Sequence, residues 1–561
     1  MSEMSINILI GGEAGQGLVT IGQLMAKALV RGGHDVLVNQ DYMSRIRGGH
    51  NFFAIRTGPE PIQCTTEMVD ILVALNKETL EIHGSQLTER GIVVADEKID
   101  CRGLNALKVP FNDLASKPLF YNVVALGVLG AAVCNDIAIL KGLLQDTFGK
   151  KGSEIVASNL EVLRKAYAWV KEQNFDFSCM PPPPENPDKR IMINGNEAIA
   201  LGALAAGCNF LSFYPMTPST SVALTLINKG KELGFVAEQA EDEIAAINMA
   251  LGASWAGARS IVTTSGGGFA LMVEGISLAG VTETPVVVIL VQRPGPATGL
   301  PTRTEQGDLN LALYAGHGEF PRAIFTPGTP EECFYLTHRA FDLAERYQTP
   351  MFVLSDQYLA DSYRAVEPFD LDKLPEVAKP LLKPENPKEY KRYALSDDCI
   401  SPRAIPGFSE ALVKVDSDEH DEQGHIVEDA PTRVAQNSKR LCKGCGLWEE
   451  VVPPGYYGPD EPDVLFLCWG STLGAALDAS EMADLKVAVL HFTQVYPLKD
   501  EQFMPFLEAA KEVVCVEGNA NGQFARLLRQ ETGYGVNNFI LRFDGRPITA
   551  RYILAGLKNI L

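Results

Sequence analysis

The 561-residue chain has no apolar run long enough to cross a bilayer as a helix. Its longer apolar runs, such as Val123 to Cys134 and the strand-sized Val286 to Val291, fall well short of the ~20 residues such a span requires. Excess positive charge is also missing: 49 Lys and Arg against 70 Asp and Glu leave a net charge of −21. A surface of that sign repels phosphate backbones and anionic lipids, which argues against a general nucleic-acid or membrane-surface binder. No basic-then-apolar leader is visible, because Met1-Ser2-Glu3-Met4-Ser5 runs straight into strand-like Ile6-Asn7-Ile8-Leu9-Ile10. A cytoplasmic location is expected. Cysteines number eleven, an odd count, and only Cys442 and Cys445 lie close together. That pattern predicts reduced thiols and not a disulfide framework. Solenoid-type repeats are absent as well.

What is present is the composition of an ordinary folded enzyme, 46% hydrophobic and 21% charged, in a chain long enough for roughly three to five domains. Residues 1–178 read as a first α/β unit: strand Ile6 to Ile10, a glycine turn, a helix through Leu24 to Val30 and a strand Asp35 to Val38. A βαβ start predicts a parallel sheet. Met180-Pro181-Pro182-Pro183-Pro184 marks a stiff linker over 179–190, since proline fixes φ and lacks a donor. Residues 191–375 alternate strands and helices again. Residues 376–460, rich in Pro, Lys, Asp and Glu, show little periodicity and read as an extended connection. A third α/β region begins at Asp463 and occupies 461–561.

Several motifs carry chemistry. Gly11-Gly12-Glu13-Ala14-Gly15-Gln16-Gly17 lies between strand and helix, where small residues let amides approach an anion. Its G-x-x-x-G-x-G spacing differs from the dinucleotide fingerprint, so a plain structural turn is the alternative. Ser44-Arg45-Ile46-Arg47-Gly48-Gly49 sets two guanidinium groups beside a Gly-Gly turn, suited to phosphate or simply solvated. Tyr214-Pro215-Met216-Thr217-Pro218-Ser219-Thr220 combines two rigidifying prolines with hydroxyls at a helix start, either an anion cradle or a helix cap. In Glu238-Gln239-Ala240-Glu241-Asp242-Glu243, three of the four acids read as solvated helix-start residues, whereas Glu243 directly precedes an apolar run. Arg293, in Arg293-Pro294-Gly295-Pro296-Ala297-Thr298-Gly299-Leu300-Pro301-Thr302, follows a strand, where α/β domains build their sites. Cys442-Lys443-Gly444-Cys445 has no second C-x-x-C beside it, so a metal site is not expected. Asp418-Glu419-His420-Asp421 with Gly424-His425 could suggest metal ligands or a subunit contact, the latter being the expectation.

Taken together, these segments resemble the 2-oxoacid:ferredoxin oxidoreductases of the fused γ-α type. Residues 5–175 resemble the γ-type domain, which in that family helps hold coenzyme A. This implies coenzyme contacts at Gly11, Gly12, Gly15, Gly17, Ser44, Arg45 and Arg47. Tyr214 to Thr220 resembles the family's Y-P-I-T-P-S motif with Met216 for isoleucine, which implies that Tyr214 and Thr217 meet the substrate. The R-P-G-P-x-T-G-x-P-T string implies Arg293 on the 2-oxoacid carboxylate and Thr302 as a further contact. Glu243 resembles the glutamate facing the aminopyrimidine of thiamine diphosphate, where protonating a ring nitrogen favours the imino tautomer needed for C2 activation.

The implied fold is multidomain α/β: a γ-type domain, a pyrimidine-binding-type domain and a transketolase C-terminal-like domain containing Trp469-Gly470-Ser471-Thr472, Tyr496-Pro497-Leu498 and Glu517-Gly518-Asn519. No G-D-G motif followed by asparagine and no cluster-forming cysteine set is visible. The resemblance therefore puts Mg²⁺, the diphosphate end and a [4Fe-4S] cluster on a separate β subunit, in an (αβ)2 assembly that passes electrons to ferredoxin. The implied substrate is 2-oxoglutarate, converted to succinyl-CoA. The alternatives are a non-catalytic nucleotide-binding scaffold or regulatory subunit and a dinucleotide-dependent dehydrogenase.

Overall fold

The computed structural model describes residues 5–13, 16–43, 49–101, 103–115, 117–173, 175, 182–184, 187–378 and 383–561. They form two compact units. One contains the described residues up to Ile193 with Ser362–Pro368 and Thr549–Arg551, and the other contains Asn194–Asp361, Phe369–Ile548 and Tyr552–Leu561. The stretches read from sequence as 191–375, 376–460 and 461–561 thus lie largely within one unit.

The first unit is built on an eight-stranded sheet in the order Ala106–Val109, Leu87–Asp96, Val69–Ala74, Ile6–Glu13, His50–Gly58, Asp35–Asp41, Arg364–Val366, Ile191–Ile193. The first four strands run parallel. The sheet is nevertheless mixed, not parallel as the βαβ start predicts, because His50–Gly58 pairs antiparallel with both Ile6–Glu13 and Asp35–Asp41. Only residues 42–49 connect Asp41 to His50, too few for a helical crossover, so the chain must return as a hairpin. Ile8, Ile10 and Phe53 from the sheet pack with Leu24, Met25 and Leu29 of the helix Leu18–Arg31. The apolar run at Val123 forms the helix Tyr121–Ala132, buried continuously from Val123 to Ala132. A helix apolar on every side belongs inside a core.

The second unit holds two sheets. Seven strands run in the order Gln494–Tyr496, Ala323–Phe325, Pro350–Asp356, Val286–Gln292, Ser260–Thr264, Phe210–Phe213, Val236–Gln239. All are parallel except Gln494–Tyr496, which is antiparallel to Ala323–Phe325. Val286–Gln292 is buried at every position, as the central strand of a parallel sheet covered on both faces should be. Five further strands run Gly455–Tyr457, Val487–Phe492, Val464–Trp469, Glu512–Glu517, Asn538–Leu541. One hydrophobic cluster joins the two sheets, with Ile247, Met272, Leu290 and Phe352 from the first region and Leu465, Trp469, Phe492 and Phe524 from the second.

Two expectations are corrected here. The connection read as extended contains a 20-residue helix, Ala430–Glu449, capped by Asp429 through the Thr432 amide. Its inward face carries Gln436, Lys439, Arg440 and Lys443, so the hydrophobic periodicity that signals a helix is missing. Lys439 and Lys443 meet Glu283, which is fully buried, with Lys439 Nζ 2.7 Å and Lys443 Nζ 2.5 Å from its carboxylate, while Arg440 pairs with Glu419. The thiols are not all reduced either. Cys442 forms a disulfide with Cys399, 43 residues away, across a Cα separation of 6.0 Å, while Cys445 is free and exposed. Nothing in the spacing of the sequence pairs two cysteines that far apart.

Candidate active site

The site forms where three strands of the seven-stranded sheet end. Phe210–Phe213 leads into Tyr214 to Thr220, Ser260–Thr264 into Ser265 and the helix Gly266–Val281, and Val286–Gln292 into Arg293. In a parallel sheet these carboxyl ends face one crevice. Backbone bonds between the strands fix their relative register, with Thr264 paired to Leu290 and Phe213 to Thr263.

Tyr214 is exposed and Thr217 half-buried. The loop does not act as a side-chain cap. Ser219 stands at the N-cap position of the helix Thr220–Gly230 without a capping bond, and its hydroxyl turns back to donate to the Met216 carbonyl at 2.8 Å. Asn196 supports the loop from below, donating to the Pro218 carbonyl at 2.9 Å and to Ser221 Oγ at 2.7 Å. Arg293 Nη1 donates to the Thr217 carbonyl at 2.6 Å. Burial lowers the guanidinium pKa, with the negative charge of Asp308 opposing that shift.

Glu243 opens the helix Glu243–Trp255, behind Asp242, which caps it through the Ala245 amide at 2.7 Å. Of the four acids in this stretch, Glu238 and Glu241 are exposed, Asp242 is half-buried and Glu243 is buried, at 4% exposure. Its Oε1 is buried without a hydrogen-bond partner among the described residues. Leaving such an oxygen unpaired costs about 1–3 kcal/mol or more, so it calls for a ligand donor.

The start of the helix Gly266–Val281 is the meeting point. A Cβ on Gly268 would lie 2.6 Å from Glu243 Oε1 and 2.2 Å from Thr264 Oγ1, and one on Gly266 would lie 2.5 Å from Asp308 Oδ2. Around Gly267 the nearest atoms are the Ala297 carbonyl and Met216 Cε, 3.9 and 4.0 Å from such a Cβ. The Tyr214 loop, the Arg293 loop and Glu243 therefore converge on one turn. Thr302 is buried, but no hydrogen bond ties it to Thr217, Arg293 or Glu243.

Sequence reasoning missed the segment that follows. Asp308 donates its amide to Gln292 Oε1 at 3.0 Å. Gln306 bridges to the third region: its Nε2 donates to the Trp469 carbonyl at 2.9 Å, and its Oε1 accepts from the Gly518 amide at 2.8 Å. Gln523 Nε2 donates to the Gly307 carbonyl at 2.7 Å. The Trp469 and Glu517-Gly518 turns thus hold the loop carrying Asp308. The available signals were a glutamine ending an otherwise apolar strand and two acids, Glu305 and Asp308, soon after the Arg293 motif.

In the first unit, Gly11 and Gly12 end the strand Ile6–Glu13. A Cβ on Gly11 would meet Thr79 at 2.5 Å and His50 at 3.0 Å, and one on Gly12 would meet Gln16 Oε1 at 2.5 Å, so close packing accounts for both. Gly17, at φ +80°, starts the helix Leu18–Arg31. Gly15, Ser44, Arg45 and Arg47 lie outside the described residues. Beneath Gly11, buried His50 and His83 pair through their Nε2 atoms at 2.8 Å, a contact that periodicity does not reveal. Among the described residues no helix is long and apolar enough to cross a membrane.

Residues 201–439 match the family described as pyruvate flavodoxin/ferredoxin oxidoreductase, thiamine diphosphate-binding, and residues 7–169 match pyruvate ferredoxin/flavodoxin oxidoreductase. The 2-oxoacid:ferredoxin oxidoreductase subunit alpha of a Sulfolobus species is 30% identical over 100% of this chain and 97% of its own. The 2-oxoglutarate oxidoreductase subunit KorA of Mycobacterium tuberculosis is 28% identical over 94% and 87%. Among solved structures, the 2-oxoglutarate:ferredoxin oxidoreductase from Magnetococcus marinus, with 2-oxoglutarate, coenzyme A and succinyl-CoA bound, matches with a TM-score of 0.92 at 32% identity over 100% of both chains. The chain belongs to the 2-oxoacid:ferredoxin oxidoreductases, in their alpha-subunit family.

Proposed function

We propose that this chain is the alpha subunit of a coenzyme A-acylating enzyme that decarboxylates 2-oxoglutarate oxidatively, giving succinyl-CoA and CO₂ while two electrons pass to ferredoxin. The observation that carries the reading is the convergence of Arg293, tied to Thr217, with buried Glu243 across the Gly266–Gly268 turn. The kin named as 2-oxoglutarate enzymes favour that substrate.

Thiamine diphosphate fits the residues present, because Glu243 offers a buried, unpartnered carboxylate oxygen beside a helix start where a side chain would block approach. When bound, that cofactor supplies a carbon nucleophile able to attack the ketone of a 2-oxoacid. Glu243 would hold a proton at the pyrimidine ring nitrogen. Arg293 would bind the substrate carboxylate through its planar donor fork, with Tyr214, Thr217 and Thr302 shaping the pocket. The glycine turn at Gly11, Gly12, Gly15 and Gly17, together with Ser44, Arg45 and Arg47, would contact coenzyme A.

A β subunit would supply Mg²⁺, the diphosphate site and a [4Fe-4S] cluster, in an (αβ)2 heterotetramer. In support, Ile244 and Met249, on the helix that Glu243 opens, and Leu271 on the adjacent helix expose 41–50% of their surface, an apolar face suited to a partner. The test is ferredoxin reduction by the chain assembled with its β subunit, with 2-oxoglutarate and pyruvate compared in the presence of coenzyme A. Reduction that depends on 2-oxoglutarate supports the reading. No turnover with any 2-oxoacid, together with no coenzyme A binding, sinks it.

A further inference from the structure

Asp308 lies in the position that normally caps a helix, directly before Leu309–Leu313, and its carbonyl accepts the Ala312 amide at 3.0 Å. Its side chain makes no capping bond there. The carboxylate reaches instead to Gly266, where even a methyl group would lie 2.5 Å from Oδ2. That oxygen is buried and has no hydrogen-bond partner among the described residues. Both sides of the segment are braced, by Gln292 on the Asp308 amide and by Gln306 and Gln523 through Trp469, Gly518 and Gly307. So much bracing around an unpaired carboxylate suggests that its charge is meant for something nearby.

The charged groups facing it are few. Arg293 directly follows Gln292, whose side chain holds the Asp308 amide, Glu305 shares the loop, and Glu243 lies across the Gly266–Gly268 turn. Burial pushes the Asp308 carboxyl up to about 6 against the pull of Arg293, and burial with the Asp308 charge pushes Glu305 up to about 6 as well. One guanidinium cannot balance two anions in so desolvated a place, and an arriving substrate carboxylate would drive Asp308 towards protonation.

We infer that Asp308 is a positioning and charge-balancing residue for Arg293: its carboxylate offsets the guanidinium before substrate binds and takes up a proton when a 2-oxoacid carboxylate arrives. This rests on the proposed 2-oxoacid function. Binding is then linked to proton uptake, and the apparent affinity for the 2-oxoacid falls as pH rises above about 6, by up to ~10-fold per unit.

The experiment is calorimetry of 2-oxoglutarate binding to the assembled enzyme at pH 7, in two buffers of different ionisation heat, for the wild type, Asp308→Asn and Glu305→Gln. The expected result is uptake approaching one proton in the wild type and in Glu305→Gln and little in Asp308→Asn, with KM rising with pH only where Asp308 is intact. Equal uptake in wild type and Asp308→Asn, or a KM change uniform across pH, overturns the inference and leaves a merely structural role. Should Asp308→Asn fail to assemble, Asp308→Ser replaces it, and binding without proton uptake in the wild type is itself decisive against the inference. Failure of the wild type to bind any 2-oxoacid would instead sink the functional reading.

Discussion

Arg293 and Thr217, 76 residues apart in sequence, are joined by a 2.6 Å hydrogen bond from the guanidinium to the Thr217 backbone carbonyl. Because the acceptor is backbone, the tie survives a change of the Thr217 side chain but not the loss of the guanidinium. Arg293→Lys keeps the charge and loses the planar fork. Its KM for the 2-oxoacid should rise about 10-fold, and that of Arg293→Ala about 100-fold or more, as expected for losing charge-assisted hydrogen bonds. Steady-state kinetics on the assembled enzyme check this, and an unchanged KM in Arg293→Ala would count against a substrate role.

Gly268 tests the other side of the turn. A methyl group there would lie 2.6 Å from Glu243 Oε1 and 2.2 Å from Thr264 Oγ1, so Gly268→Ala must displace the carboxylate. Turnover should drop at least about 10-fold, the scale seen when a catalytic group is misplaced, while far-ultraviolet circular dichroism stays unchanged. Full activity in Gly268→Ala would mean that the position of Glu243 is not critical.

The strand ends and the turns that follow them were legible because turn chemistry and a buried apolar strand announce themselves locally, whereas the residues of the Tyr214 loop read as a helix cap that the structure does not form. Glu243 was legible as the one acid directly before an apolar helix. What stayed hidden is non-local or inverted in pattern. The helix Ala430–Glu449 turns Lys439 and Lys443 inward to Glu283, so its periodicity reads as polar. Asp308, Gln306 and the His50–His83 pair acquire meaning only from residues brought to them by the fold. The antiparallel return at His50–Gly58 depended on a hairpin that the βαβ pattern before it did not foretell.

The Glu283 cluster should dominate the stability of the second unit. Removing one partner from a buried ion pair costs about 3–5 kcal/mol, so Glu283→Gln is expected to lower the denaturant midpoint accordingly. Burial raises the Glu283 pKa, but Lys443 and Lys439 outweigh it and hold the group at about 2. A carboxyl depressed on folding stabilises above its unfolded pKa, so this contribution is lost as pH falls from about 4.5 towards 2. Midpoints measured across that window should converge for wild type and variant. A constant gap would contradict the assignment.

His50 and His83 set a second acid window in the first unit. Gln86 Oε1 lies 2.7 Å from His83 Nδ1, which assigns that nitrogen the proton and leaves His83 Nε2 to accept from His50. Burial, with His83 adding to it, brings His50 down to about 4, so the neutral pair stabilises the fold above pH 6.5 and the contribution is lost between 6.5 and 4. His50→Gln keeps a donor towards His83 without titrating. Its loss of stability across that window should be smaller by on the order of 2 kcal/mol, read from thermal melts at stepped pH.

The most direct test of the central claim, that Glu243 of this chain activates thiamine diphosphate beside the Arg293 cradle, is the rate of hydrogen–deuterium exchange at the cofactor's C2 carbon. It is measured by nuclear magnetic resonance after rapid acid quench, in the assembled wild type and in Glu243→Gln, with bound cofactor quantified in both. The account predicts exchange at least about 100-fold slower in the variant with the cofactor still bound. Equal exchange rates at equal occupancy would contradict it.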